Sequence, residues 1–194
     1  MGQVAPFLLI AAVPAAAAST NLLVEVRDSH GAAVTDAVVY AVPEAKAPSP
    51  PSRRAVVDQR NRTFVPHILP IQTGTAVTFP NSDNVRHQVY SFSPAKRFQL
   101  PLYAGTPAAP VVFDKPGVVA IGCNIHDQMS AYLVVVDTPY FALTMKGGAE
   151  LSGLPEGKYD VRVWHEGMRS EPPPQSVRLG AGEPNRLTFR IGEK

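Results

Sequence analysis

The chain has 194 residues, 45% of them hydrophobic, and a formal net charge of +2 from 18 Lys/Arg and 16 Asp/Glu. So small a surplus excludes the electrostatic footprint of a nucleic-acid-binding domain; one cysteine excludes a disulfide framework, and the lack of any Cys-x-x-Cys-His run excludes covalent haem. Twenty prolines are about twice the usual share and favour strands, turns and linkers over helices.

Residues 1–18 carry no charged side chain and run from Phe7-Leu8-Leu9-Ile10 to Ala16-Ala17-Ala18. A short apolar segment before an Ala-x-Ala-like site is the pattern of a secretory signal peptide, too short to span a bilayer. The basic n-region usual in such a segment is missing. Export to the periplasm or beyond is the expectation, followed by cleavage, and no other stretch has the length or apolarity of a membrane span. Next comes short β-branched alternation closed by Gly, Pro, Asn or Asp, with no sustained helical periodicity, which is the all-β signature. Residues 22–27 and 37–42 read as strands, with a turn at Asp28-Ser29-His30-Gly31. Residues 43–52, with Pro48, Pro50 and Pro51, read as an extended linker.

Residues 53–137 read as one strand-rich unit. Strand patterns fall at 56–58, 63–65, 67–71, 76–79, 88–92, 111–113, 118–122 and 131–136, a density that fits a sandwich. Beyond Thr138-Pro139, residues 140–144 and 149–151 predict a hairpin about Met145-Lys146-Gly147-Gly148. Residues 153–165 predict a turn followed by a strand, and 175–179 and 186–191 two further strands. Two N-terminal strands make no stable unit alone. They are expected to pair with the C-terminal ones in a second small sandwich, giving a signal peptide at 1–18, half-domains at 19–47 and 138–194, and an inserted unit at 53–137.

The only cysteine lies in Gly122-Cys123-Asn124-Ile125-His126-Asp127-Gln128-Met129, and His87 stands 36 residues before it. One thiolate, two imidazoles and one thioether suit copper, because soft sulfur and imidazole select that metal and a His2Cys plane with a weak axial Met is the blue-copper geometry. The candidate metal ligands are therefore His87, Cys123, His126 and Met129, for one mononuclear copper. Zinc competes poorly, since its sites use Cys, His and carboxylate without thioether. The bland alternative makes Cys123 a small buried hydrophobe, His126 a loop histidine and Met129 a core filler. His30, His67 and His165 are read as turn, surface or packing residues. Residues 53–137 hold eight Lys/Arg and five Asp/Glu. Arg86, Lys96 and Arg97 among them form either a solvated face or a docking site for an acidic partner.

At these ligand positions the chain resembles the cupredoxins, in particular the plastocyanin and amicyanin group. The spacing Cys123-x-x-His126-x-x-Met129 resembles the short amicyanin-type ligand loop, His87-Gln88-Val89 the first-histidine motif, and Phe64-Val65-Pro66 the opening of that domain. Phe79-Pro80-Asn81-Ser82-Asp83, Val89-Tyr90-Ser91-Phe92-Ser93 and Gly122-Cys123-Asn124-Ile125-His126-Asp127 resemble exported bacterial proteins labelled methylamine utilization protein. The flanks resemble a split carboxypeptidase-regulatory-like, or transthyretin-like, domain, through Gly31 to Val39 and Leu154 to Tyr159.

The resemblance implies a cupredoxin Greek-key sandwich with a second small sandwich, and a soluble exported electron carrier, not an enzyme, working between a redox protein donor and acceptor. The alternative is a copper carrier or sensor that docks a partner through its second sandwich. Three positions depart from the family pattern: Ile121 replaces a common aromatic, Gln88 the Asn after the first histidine, and Ile125 a common Pro. Unlike Pro, Ile125 has a backbone N–H, which is expected to point at the Cys123 sulfur beside a donor near Gln88.

Overall fold

The computed structural model describes residues 19–45, 53–107, 109–180 and 185–192. The expected signal segment and residues 46–52 of the linker lie outside the described residues. In chain order the strands are β1 (Ser19–Arg27), β2 (Val38–Pro43), β3 (Arg54–Val56), β4 (Asp58–Arg60), β5 (Thr63–Val65) and β6 (Ile68–Gln72). Then come β7 (Thr75–Thr78), β8 (His87–Ser91), β9 (Phe98–Tyr103), β10 (Val111–Phe113), β11 (Gly117–Gly122) and β12 (Ser130–Val136). The last five are β13 (Phe141–Leu143), β14 (Gly148–Pro155), β15 (Gly157–Trp164), β16 (Gln175–Leu179) and β17 (Arg186–Arg190). The protein is all-β, and among the described residues no helix is long and apolar enough to cross a membrane.

Two sandwiches result, and strand pairing separates them. In the first, the sheet β6-β12-β11-β8-β9 faces the sheet β10-β7-β3, with β4 and β5 forming a hairpin beside them. Its core takes alternate side chains from each strand, as the period of two requires: Val77, Val89, Phe113, Val119, Ile121, Ala131, Leu133 and Val135. In the second, β14-β1-β17 faces β13-β2-β15-β16 around Leu22, Val24, Val26, Leu151, Tyr159, Val161 and Phe189. Among the described residues, the strand β1 pairs only with β14 and β17, and β2 only with β13 and β15. Two buried hydroxyls clasp the halves of this second sandwich. Thr144 donates to the Val34 carbonyl at 2.7 Å and accepts from the Ala37 N–H, while Thr138 donates to the Ala41 carbonyl at 2.6 Å.

Strand β12 belongs to one sandwich but is buried on both faces. Ala131, Leu133 and Val135 enter the first core; Val134 and Val136 meet Val38 and Ile68 in an apolar layer completed by Tyr40, Phe141, Leu143 and Trp164. That layer joins the two sandwiches. A strand covered on both faces reads as a continuous apolar run, which is what Ala131-Tyr132-Leu133-Val134-Val135-Val136 is.

The structure corrects three readings of the sequence. Residues 98–103 form β9, although Pro101 interrupts the pattern; β9 pairs only with β8 at the sheet's edge, where a residue without an N–H is tolerated. Residues 140–151 do not make a hairpin. The tight turn is present, with Lys146 and Gly147 at φ 51° and 82°, but β13 then pairs with β2 and β14 with β1, so the chain passes from one sheet to the other. A side chain at Gly147 would have its Cβ 2.7 Å from that of Ala33, so the crossing also needs glycine for space. Strand β14 also runs on through Gly153-Leu154-Pro155, where a turn was expected.

Candidate metal centre

His87 opens β8 and is fully buried. The loop leading to it is held by Asn81, 5% exposed, whose amide donates to the carbonyls of Val85 and Tyr103, both at 2.9 Å. The Asn81 side-chain oxygen accepts from the Asp83 N–H at 3.0 Å. Asp83 thereby comes to face the imidazole, and its Oδ2 lies 2.8 Å from His87 Nε2. Its carboxylate also accepts the N–H groups of Asn61 at 2.6 Å and Arg62 at 2.9 Å. Those two residues form the β4–β5 turn with φ of 53° and 58°, the primed geometry that matches hairpin twist.

Burial on its own would raise the pKa of Asp83; the hydrogen bonds from Arg62, His87 and Asn61 outweigh it and hold the carboxyl below its usual range. A carboxylate only accepts, so His87 Nε2 carries a proton. With Nε2 so engaged, Nδ1 is the ring nitrogen left to offer a lone pair to a metal. Fixing a histidine's tautomer through a carboxylate is what metal-ligating histidines commonly require.

Cys123 follows β11 and is 3% exposed. Its N–H donates to the Met129 carbonyl at 3.3 Å, and the Met129 N–H to the His126 carbonyl at 2.9 Å, so the loop 123–129 closes on itself. Cys123 Sγ lies 3.9 Å from His87 Nδ1, and the rings of His87 and His126 are 5.0 Å apart at 64°. One ligand atom from each of His87, Cys123 and His126 lies within 4.8 Å of the other two. His126 Nδ1 is buried and has no hydrogen-bond partner. A buried imidazole nitrogen left unsatisfied is costly, and here it belongs to the same cluster. Met129 is 2% exposed at the end of the loop and shares the core of Cys123.

The donor set passes the chemical test for copper: a buried thiol, an imidazole nitrogen freed by its tautomer, and a second imidazole nitrogen with no other partner. Of the expected ligands, the structure brings His87, Cys123 and His126 together and buries Met129 in the core that holds Cys123. The expected hydrogen bond from the Ile125 N–H to the sulfur is not made, nor is one from Gln88. The Ile125 side chain is 51% exposed on the outer side of the loop, whose closing bonds come from Cys123 and Met129 instead. Asn81 and Asp83 organise the first-histidine loop, and neither was selected from the sequence. The signals were the Phe79-Pro80-Asn81-Ser82-Asp83 motif of the resemblance, which gave neither residue a role, and the turn-forming Asn-Ser-Asp-Asn run ahead of His87.

A groove runs along the site, lined by Tyr90, Phe92, Gly122, Cys123, Asp127 and Met129. Tyr90 lies so close that a Cβ on Gly122 would sit 3.1 Å from its ring, so a side chain before Cys123 would have to push that ring aside by a few tenths of an ångström. Tyr103 is pushed up to about 12 by burial, with the Gln59 hydrogen bond opposing and the charges of Cys123 and Asp58 adding to the rise. It stays a neutral phenol, donating to the Phe79 carbonyl at 2.6 Å. Of the three cations considered for docking, Lys96 is tied to Asp114 at 3.0 Å, while Arg86 and Arg97 are exposed. His30 is exposed in its turn, and the His165 ring accepts the Gly167 N–H.

No protein-family model and no curated protein matches the chain. Similar solved structures include a copper-containing nitrite reductase from Thermus scotoductus SA-01, 27% identical over 49% of this chain and 25% of that one, with a TM-score of 0.40. The chain thus spans about a quarter of that reductase. A purple cupredoxin from Nitrosopumilus maritimus is 24% identical over 42% of this chain and 99% of its own, with a TM-score of 0.38. The reduced state of an amicyanin mutant is 22% identical over 50% and 99%, with a TM-score of 0.39.

Proposed function

We propose that the protein is an exported type 1 copper protein that carries single electrons between redox partners. The observation that carries this reading is the convergence of His87, Cys123 and His126 within 4.8 Å around a buried imidazole nitrogen that has no other partner. His87, Cys123 and His126 would hold the metal, with Met129 as a weak fourth ligand. Bound copper would supply a one-electron couple between its two common oxidation states.

The residues around the site serve that task by staying still. Asp83 fixes the His87 ring, the Cys123 and Met129 backbone bonds close the second ligand loop, and a core of β-strands anchors both. A constellation held by its own supporting bonds needs little rearrangement when charge changes. His126 is the one convergent donor that is not fully buried, which makes it the natural point of approach for a partner. Export rests on residues 1–18 and on the resemblance to exported methylamine utilization-like proteins. The carboxypeptidase-regulatory-like character of the second sandwich rests on its two sequence motifs.

The test is a visible and paramagnetic-resonance spectrum of the Cu(II)-loaded protein. An intense thiolate-to-copper band is expected in the wild type and is lost in Cys123→Ser, while Met129→Leu keeps copper and alters the potential. A copper-loaded wild type with no thiolate band would reject the assignment.

A further inference from the structure

Glu166, after β15 of the second sandwich, meets His67, which meets the residue that follows the ligand loop. His67 directly precedes β6, and its ring stands between two acceptors, both of which it serves at once only with a proton on each nitrogen. Nδ1 lies 3.0 Å from the Ser130 carbonyl, and Nε2 lies 3.0 Å from both carboxylate oxygens of Glu166. Ser130 is the residue after Met129 and the first of β12. Its carbonyl is therefore one peptide beyond the Met129 carbonyl that accepts the Cys123 N–H. The two successive carbonyls at this end of the loop are held from different directions, one by Cys123 and one by His67.

Glu166 is itself held in place. It lies in the turn after β15, where the Met168 N–H bonds the His165 carbonyl at 3.1 Å and the His165 N–H meets the Met168 sulfur at 3.0 Å. Met168 is 6% exposed and belongs to the core of the second sandwich. The His67 ring packs edge-on to Tyr132 at 5.7 Å, and Tyr132 lies 5.2 Å from Trp164, two residues before Glu166. The His67 carbonyl accepts the Tyr132 N–H at 2.8 Å. From the second core to the Met129 peptide the contacts are continuous.

We propose that Glu166, acting through His67, is a positioning residue for the Met129 end of the ligand loop, so that the second sandwich helps to set where the thioether stands. The consequence for copper rests on the function proposed above, but the positioning itself does not. Both side chains are partly exposed, at 46% and 37%. A pair of that kind adds little to global stability, so its effect belongs in loop geometry and not in the melting temperature.

The test uses full-length, copper-free protein labelled with 13C-methyl methionine. Glu166→Ala is expected to shift or broaden the Met129 methyl resonance, while exposed Met145 serves as the unmoved reference. Glu166→Gln keeps an acceptor for Nε2 and restores the wild-type position. His67→Ala gives the same displacement as Glu166→Ala, and the double variant goes no further. Loaded with copper, Glu166→Ala shifts the reduction potential in the direction that Met129→Leu shifts it. A Met129 resonance that stays put in folded Glu166→Ala, or an unmoved potential in its copper-loaded form, overturns the inference. A displaced resonance in a protein that takes up no copper supports the positioning and removes only the copper function.

Discussion

The two sandwiches differ in what their buried polar groups leave unmet. In the second, the buried hydroxyls Thr138 and Thr144 close onto backbone carbonyls and join its N- and C-terminal halves. In the first, buried Gln59, Asn81 and His87 gather toward the Cys123 end, and the acceptors of Gln59 and Gln72 and His126 Nδ1 have no partner. Native interiors leave few polar groups unmet. Both regions hold themselves together with buried polar groups, as Thr75 does on the Gln72 carbonyl in the first, but of the unmet atoms only His126 Nδ1 belongs to a residue of the candidate metal cluster.

That contrast is open to direct attack, beginning with its structural half. Phe189 is 1% exposed in the core of the second sandwich. Phe189→Ala is expected to cost about 3–5 kcal/mol, measured by urea unfolding of the copper-free protein. The folded fraction should keep its ligand geometry, as read by the spectrum after copper loading. A cost below about 1 kcal/mol would mean that this core is not close-packed.

Asp83 tests the chemical half. Asp83→Asn replaces an all-acceptor group with an amide that must place a donor among the Asn61, Arg62 and His87 donors. Losing a ligand's carboxylate partner typically costs about 10–100-fold in metal affinity, and a chelator-competition titration reads that directly. Unchanged affinity would reduce Asp83 to a loop staple.

The smallest effect is expected on the exposed surface. The Lys96 hydrogen bond, aided by backbone and by the lysine's charge, holds Asp114 below its usual pKa. A depressed carboxyl contributes stability above its unfolded pKa, and the contribution disappears as pH falls through the folded value. Lys96→Ala should return the Asp114 titration to the ordinary range by NMR, with no measurable change in unfolding midpoint. A clear loss of stability would show that this pair matters more than its exposure suggests.

What could be read from the sequence follows the distance over which each signal acts. Cys123, His126 and Met129 lie within seven residues, so their spacing carries the chemistry unaided. His87 was found because it follows a strand-like run, and the all-β class followed from alternation repeated along the chain. Asp83 stands in a motif of the resemblance, but its role depends on a fold of the Asn81 loop that no periodicity announces. The Glu166–His67 contact joins residues 99 apart in sequence, on two different sandwiches. Strand β9 was hidden by Pro101, whose missing donor is harmless only at an edge. The sulfur bond expected of Ile125 presumed that the loop keeps the shape implied by the resemblance, and no such bond is made.

The strand pairing also orders events in time. All strands of the first sandwich come from the continuous stretch between Arg54 and Val136. The second cannot close until β17 exists, because Leu23 to Arg27 find their parallel partners only at Arg186 to Arg190. A chain made from its N-terminus therefore delivers β1 first and completes that strand's sheet last. Between those moments the ligand-bearing unit has every strand it needs, while the apolar residues of β1 and β2 wait without their neighbours. Unpaired edges and exposed apolar surface are where assembling chains go astray. The vulnerable partner during synthesis is thus the sandwich that carries none of the proposed ligands.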